Sequence, residues 1–265
     1  MALSHSLIQL LISLRRQKFI GAGEPIRMLE FGEQNWFYDV VPAELLILID
    51  EFKDVPAERR KALKAELQQI LNTKPPTEAF DICKVFYKLV FNYEDYTAVD
   101  LHGTPQALSL DLNEPLGLPT HGWDVVTNIG TTEHVFNQYQ AFKSLHELTK
   151  PGGLIMHSLP NQGCFDHGFF NYHPTFFYDL AEANRYEIVA LVYADCSKHP
   201  HQLKQLGSQA DYVRLAVSHQ LSAYSGIFCV YRTPGDAQAF KVPRQGYYDN
   251  RLPPELQQAW QSLAR

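Results

Sequence analysis

Segment 123–161 constrains this chain most, because its hydrophobic period changes twice within about forty residues. WDVVTNIG (123–130) is a short apolar run that stops at a glycine. TEHVFNQYQAFKSLHELT (132–149) then sets Val135, Tyr139, Phe142, Leu145 and Leu148 along one side of a helix. Lys150-Pro151-Gly152-Gly153 stops that helix, and LIMHSLP (154–160) reads as a second strand. Strands alternating with helices imply a mostly parallel sheet covered on both faces.

The rest of the chain repeats the alternation. IRMLEFG (26–32), YTAVD (96–100), ALSLDL (107–112), YEIVALVYAD (186–195) and GIFCVYRT (226–233) read as strands. HPTFFYDLAEANR (173–185) and PPELQQAWQSL (253–263) read as helices, and 197–222 is ambiguous. The block 43–90 is mainly helical, with helices expected over 43–53, 56–71 and 77–90, which separates the first two strands far more than a compact βαβ unit requires. It is expected to be an inserted layer, either a lid over a ligand or a buttress. The expected organisation is an N-terminal helical extension (1–25), a main domain (26–233) carrying the 43–90 insertion, and a C-terminal extension (234–265).

Charge and cysteine content narrow the function. With 23 Lys+Arg against 29 Asp+Glu the net charge is -6, so a basic nucleic-acid footprint is not expected. Cys83, Cys164, Cys196 and Cys229 form no C-x-x-C pair, which gives neither a zinc knuckle nor a thioredoxin-like site. A reduced, cytoplasmic setting is expected. Leu3, Leu7, Leu10, Leu11 and Leu14 fall at helical spacing and are followed by Arg15, Arg16 and Lys18. A signal peptide has the opposite order of charge and apolar residues, so a packed amphipathic helix is expected. No run of 18 apolar residues predicts a membrane span.

In an open α/β sheet ligands sit beyond the carboxyl ends of the strands. That selects 30–35, 100–103, 111–113, 128–134 and 157–160. Asp100 can accept from ribose hydroxyls, and Asp111 from an exocyclic adenine amine. LEFG (29–32), AVD (98–100), LDLN (110–113), WDVVTNIGTTEHV (123–135) and KPGGLIMHSLPN (150–161) together resemble the class I S-adenosylmethionine-dependent methyltransferases. The resemblance spans 26–233. It implies a Rossmann-like three-layer α/β sandwich, mostly parallel, with an antiparallel strand near the C-terminus. It implies S-adenosyl-L-methionine as cofactor, leaving as S-adenosyl-L-homocysteine. The implied cofactor residues are Glu30, Gly32, Asp100, Asp111, Leu112, Asn128 and Glu133. One departure stands out: the family's GxGxG loop is here Gly32-Glu33-Gln34-Asn35-Trp36, with a single glycine. A GxGxxG fingerprint is missing too, which disfavours a nicotinamide oxidoreductase. A non-catalytic methyltransferase-like scaffold is the other alternative.

His134, where the strand at 123–130 gives way to a helix, is the expected general base, because imidazole titrates near neutrality. HSLPNQGCFDHGFFNYHP (157–174) is expected to cover an acceptor, with His167 catalytic and His157, Phe170 and Tyr172 touching the substrate. Asp166, His167 and His173 carry ligand chemistry without a metal-binding spacing, so no metal is assigned. Arg244 and Tyr247 of FKVPRQGYYD (240–249) could line the acceptor site, but surface packing or a homodimer contact is the better expectation. The expected reaction is in-line methyl transfer to O or N of a small organic or sugar-containing acceptor.

Overall fold

The computed structural model describes residues 2–36, 41–249 and 254–263. The chain divides into two compact units, Met1–Leu110 and Asp111–Arg265. Pro253, placed in the last helix by the sequence, lies outside the described residues.

The first unit contains β1 (Ala2–Leu3), α1 (His5–Arg16), β2 (Ile26–Phe31), β3 (Asn35–Trp36), α2 (Pro42–Glu51), α3 (Ala57–Thr73), α4 (Glu78–Phe91) and β4 (Tyr93–Val99). β2 and β4 pair in parallel, with Glu30 opposite Ala98 and Phe31 opposite Val99. Ser4 caps α1 by accepting from the Leu7 amide, and Leu7, Ile8, Leu11, Ile12 and Leu14 are buried. The 43–90 block forms three helices. α4 buries Val85, Phe86, Tyr87, Leu89, Val90 and Phe91 almost completely. At about 2 kcal/mol for each large apolar side chain, this helix is a principal source of the unit's stability. It packs into the unit, and its neighbours include α3 and β3. The two-residue strands β1 and β3 pair in parallel, which ties the chain start to the loop after β2.

The expected strand at 107–112 does not form. Only Leu108 bridges to Val99. Beyond it the Leu110 amide turns back to the Leu108 carbonyl, and Asp111 Oδ1 accepts from the Asn113 amide at 2.9 Å. These local bonds compete with ladder pairing.

The second unit contains β5 (Trp123–Ile129), α5 (Gln138–Leu148), β6 (Thr149–Gln162), α6 (Pro174–Asn184), β7 (Glu187–Asp195), β8 (Gln202–Gln205), α7 (Gln209–Val217), β9 (Ser225–Arg232) and α8 (Pro254–Leu263). Its strands are ordered β5-β6-β9-β7-β8. β5 and β6 are parallel, while β9 runs antiparallel between β6 and β7. The antiparallel strand near the C-terminus is therefore present, and the edge strand β8 is a second one. The ambiguous 197–222 region holds β8 and α7. Segment 234–249 returns over the helices: Gln238 O lies 2.8 Å from His146 Nε2, and Asp179 Oδ1 accepts from the Gly246 amide at 3.1 Å.

The single helix expected over 132–149 is broken. Residues Thr132–His134 make one 3-10 turn, Val135 is extended, and Asn137 starts α5 by accepting from the Gln140 amide. Gln138 supplies the physical cause. Its side-chain amide donates to the carbonyls of Thr132 at 2.7 Å and Val135 at 2.5 Å, satisfying groups that a continuous helix would have used.

Candidate active site

In the first unit, Gly32 turns the chain directly after β2. Its φ of +74° is a conformation that side chains disfavour, which explains the one glycine retained in this loop. Its amide donates to Val99 O at 2.8 Å. Glu30, at the end of β2, is fully buried. It accepts from Tyr87 Oη at 2.7 Å, from the Gln34 amide at 3.0 Å and from Tyr96 Oη. Burial raises its carboxyl to about pKa 7, against the opposing hydrogen bonds. Glu30 thus holds the loop from inside.

Glu33, between Gly32 and the Gln34 that stands where the family has its next glycine, is equally buried. It accepts from the Thr104 amide at 2.6 Å and pairs with Lys84 Nζ at 2.8 Å. Lys84 and Tyr87 both come from α4, so the helical insertion grips the glycine-poor loop that a glycine-rich sequence would have shaped by itself. Asp100 is only partly buried just past β4. Its Oδ2 accepts from the Glu33 amide at 2.9 Å and its Oδ1 from the His102 amide at 2.8 Å. Gly103 is needed beside it, because a Cβ there would lie 2.9 Å from Glu33 Oε2 and 3.0 Å from Asp100 Cβ.

In the second unit, Asn128 at the end of β5 is fully buried. Its Oδ1 accepts from the Thr132 amide at 3.1 Å, and its Nδ2 lies 2.9 Å from Thr132 Oγ1 and 3.0 Å from His157 Nδ1. This clasp starts the 3-10 turn that carries Glu133 and His134. The Glu133 side chain is 1% exposed, while those of His134 and His167 are 40% and 51% exposed. Glu133 Oε1 lies 3.9 Å from His134 Nε2 and 3.7 Å from His167 Nε2. The two rings meet edge to face at 4.8 Å. Burial raises the Glu133 carboxyl to about pKa 7. His134 is lowered, first by desolvation and then by His167.

The loop 163–172 is fastened over this turn. The Glu133 carbonyl accepts from the Phe169 amide at 2.7 Å and from the Phe170 amide at 3.3 Å. Phe136 and Phe169 pack edge to face and are both largely exposed, forming an aromatic shelf from the residues two positions beyond His134 and His167. Phe170 is half-buried against Phe169.

Two residues expected to touch substrate have other surroundings. His157 lies on β6 and is 3% exposed, among the rings of Phe142, Phe177 and Tyr231. Burial holds its pKa down to about 3. Tyr172 is buried as well, and its hydroxyl donates to Gln138 Oε1 at 2.7 Å. Both are held among rings: His157 against Phe142, Phe177 and Tyr231, and Tyr172 against Phe142 and Phe176. Asp111 is exposed in its turn with Asn113, which holds its carboxyl low, and Leu112 is buried. Arg244 pairs with Asp249 at 3.2 Å. Sequence reasoning missed Gln138 and the loop-fastening role of Lys84. The helix-start position after Asn137 was the available signal for Gln138, whereas nothing local marked Lys84.

A family model described as a methyltransferase domain matches residues 18–217. No curated protein matches the chain. Among solved structures, a SAM-dependent methyltransferase from Archaeoglobus fulgidus is 14% identical, with 85% of this chain and 93% of that one covered and a TM-score of 0.46. The N-methyltransferase NodS from Bradyrhizobium japonicum is 12% identical, with coverage of 86% and 95% and a TM-score of 0.41. The [4+2]-cyclase SpnF is 9% identical, with coverage of 89% and 84% and a TM-score of 0.43. The family-model match extends over most of the sequence, and this chain belongs to the class I S-adenosylmethionine-dependent methyltransferase family.

Proposed function

We propose that this protein transfers a methyl group from S-adenosyl-L-methionine to oxygen or nitrogen of a small organic or sugar-containing acceptor. The observation that carries the acceptor assignment is the pair of half-exposed histidines, His134 and His167, beside the exposed rings of Phe136 and Phe169. Apolar acceptor surface can pack on those rings, and an imidazole can remove the proton from the attacking heteroatom. The lowered pKa of His134 keeps it neutral and able to accept a proton at physiological pH.

The first unit fits the cofactor on two observations. Gly32 turns sharply beyond β2, and the partly exposed Asp100 carboxylate stands just past β4. Asp100 would accept from ribose hydroxyls, while Glu30 and Glu33 keep the loop in place from below. When bound, the sulfonium cofactor supplies the electrophilic methyl carbon. The protein contributes alignment and proton removal, and alignment alone can supply several kcal/mol.

Calorimetry on the purified chain tests this reading. S-adenosyl-L-homocysteine binds and NAD does not. Release of S-adenosyl-L-homocysteine then follows addition of hydroxyl- or amine-bearing small molecules. A folded sample that binds neither sulfur compound overturns the reading, and NAD binding in their place would support an oxidoreductase.

A further inference from the structure

We propose that Glu133, His134 and His167 form a binding site for a divalent first-row transition-metal ion. Each offers one ligand atom, and these atoms lie within 4.8 Å of one another. Two imidazoles and one carboxylate make up the donor set of open, chemically active zinc sites and of related iron sites. Donors around a tetrahedral zinc ion stand roughly 3.3 Å apart. The two histidine nitrogens are already 3.7 and 3.9 Å from the same carboxylate oxygen. Small rotations of two half-exposed rings close the remaining gap.

An independent observation points to a cation ligand. Glu133 is 1% exposed, and its Oε2 has no hydrogen-bond partner among the described residues. A buried carboxylate is costly unless it is paired or bound to a metal. Among the described residues, the side chains that form ion pairs with Glu133 are those of the two histidines. The carboxylate is also held rigidly. Its backbone carbonyl is bonded to the Phe169 and Phe170 amides, and Gln138 locks the turn that carries it. A fixed, dehydrated carboxyl group flanked by two adjustable imidazoles is preorganised to receive a cation. This trio differs from the Asp166, His167 and His173 set considered from sequence, because the 3-10 turn brings Glu133 and His134 to His167.

With three protein donors the ion keeps a position for water or for an acceptor heteroatom. An acceptor hydroxyl bound there would release its proton to solvent more readily, since a metal ion lowers the pKa of bound oxygen. That consequence rests on the methyl-transfer reading, with the bound ion taking over from a free imidazole the activation of the heteroatom, whereas ion binding does not rest on it.

Cobalt(II) titration of the chelator-treated full chain, followed by visible absorption, tests the site. Wild-type protein takes up one equivalent with bands of imidazole-carboxylate coordination, and zinc displaces it. Glu133→Gln and His167→Ala each weaken cobalt binding by at least about 100-fold. His167 is half-exposed, so its variant keeps the fold by circular dichroism even if the buried Glu133 substitution does not. Cobalt affinity unchanged in a His134→Ala/His167→Ala double variant overturns the proposal, because binding then lies elsewhere, for instance at His199 and His201, whose rings lie 5.5 Å from each other. Absence of uptake by the wild type overturns it equally. Neither result depends on turnover, so failure here is separate from failure of the methyl-transfer reading.

Discussion

Gly168 presses directly on the backbone of Glu133: a Cβ built at position 168 would stand 2.9 Å from the Glu133 carbonyl oxygen. That same oxygen receives the Phe169 amide at 2.7 Å. The contact fixes His167 next to the turn that carries His134. Gly168→Ala must displace backbone, at a cost of about 1–3 kcal/mol. We expect turnover to fall about tenfold or more while S-adenosyl-L-homocysteine affinity changes little. Parallel calorimetry and kinetics check this, and equal losses in both would argue against a role confined to the acceptor side.

Asp100 holds the amides of Glu33 and His102 while keeping part of its carboxylate exposed. Asp100→Ala removes a charged acceptor whose hydrogen bonds are worth about 1.5–3 kcal/mol. S-adenosyl-L-homocysteine should bind about 10- to 100-fold more weakly, with the circular dichroism spectrum retained. Undiminished affinity would remove Asp100 from the cofactor site.

Glu30 makes stability depend on pH. Its folded-state carboxyl sits at about 7, against an ordinary value of 4.5, chiefly because of burial. Between those values the folded state binds the proton more firmly than the unfolded state. Its contribution is complete below pH 4.5 and is lost as pH rises towards 7, on the order of 3 kcal/mol in all. His157 acts in the opposite sense. Its folded value of about 3 lies below the ordinary 6.5, so its contribution is lost as pH falls through that interval. Urea unfolding of wild type and Glu30→Gln at pH 5 and pH 8 separates the two. The wild type should lose stability relative to the variant at the higher pH, and parallel curves would refute the assignment.

Tyr172 and Gln138 are joined by a 2.7 Å hydrogen bond. Tyr172→Phe should cost about 1 kcal/mol, and Gln138→Ala more, since it also strands the Thr132 and Val135 carbonyls. A double-mutant cycle should return a coupling of about 0.5–1.5 kcal/mol. Additive losses would mean that the two side chains act separately.

Much of the architecture is legible from local pattern. The runs at 26–32, 123–130 and 226–233 are strands because short apolar stretches end at turn residues, and the 43–90 block is helical because its apolar positions recur with a helical period. The family resemblance rested on strand ends and their acidic residues, and the family match agrees with it. The boundary errors also have local causes. At 107–112, Asp111 and Asn113 draw hydrogen bonds into a turn. At 132–137, Gln138 and Asn137 cap two short segments where periodicity suggested one helix.

The sequence by itself determined which residue types stand at the strand ends: Glu30 and Gly32, Asp100, Asn128, and the Glu133-His134 pair. It could not determine which of their side chains face inward. Only tertiary structure buried Glu30 and Glu33 under Tyr87 and Lys84 of α4, giving the first loop a support that its lost glycines could not provide. Only tertiary structure withdrew His157 and Tyr172 into the core and brought His167, 33 residues along the chain from His134, into ring contact with it. Strand and helix periods are set by neighbours in sequence, whereas burial and charge pairing depend on contacts between distant segments, which no local pattern encodes.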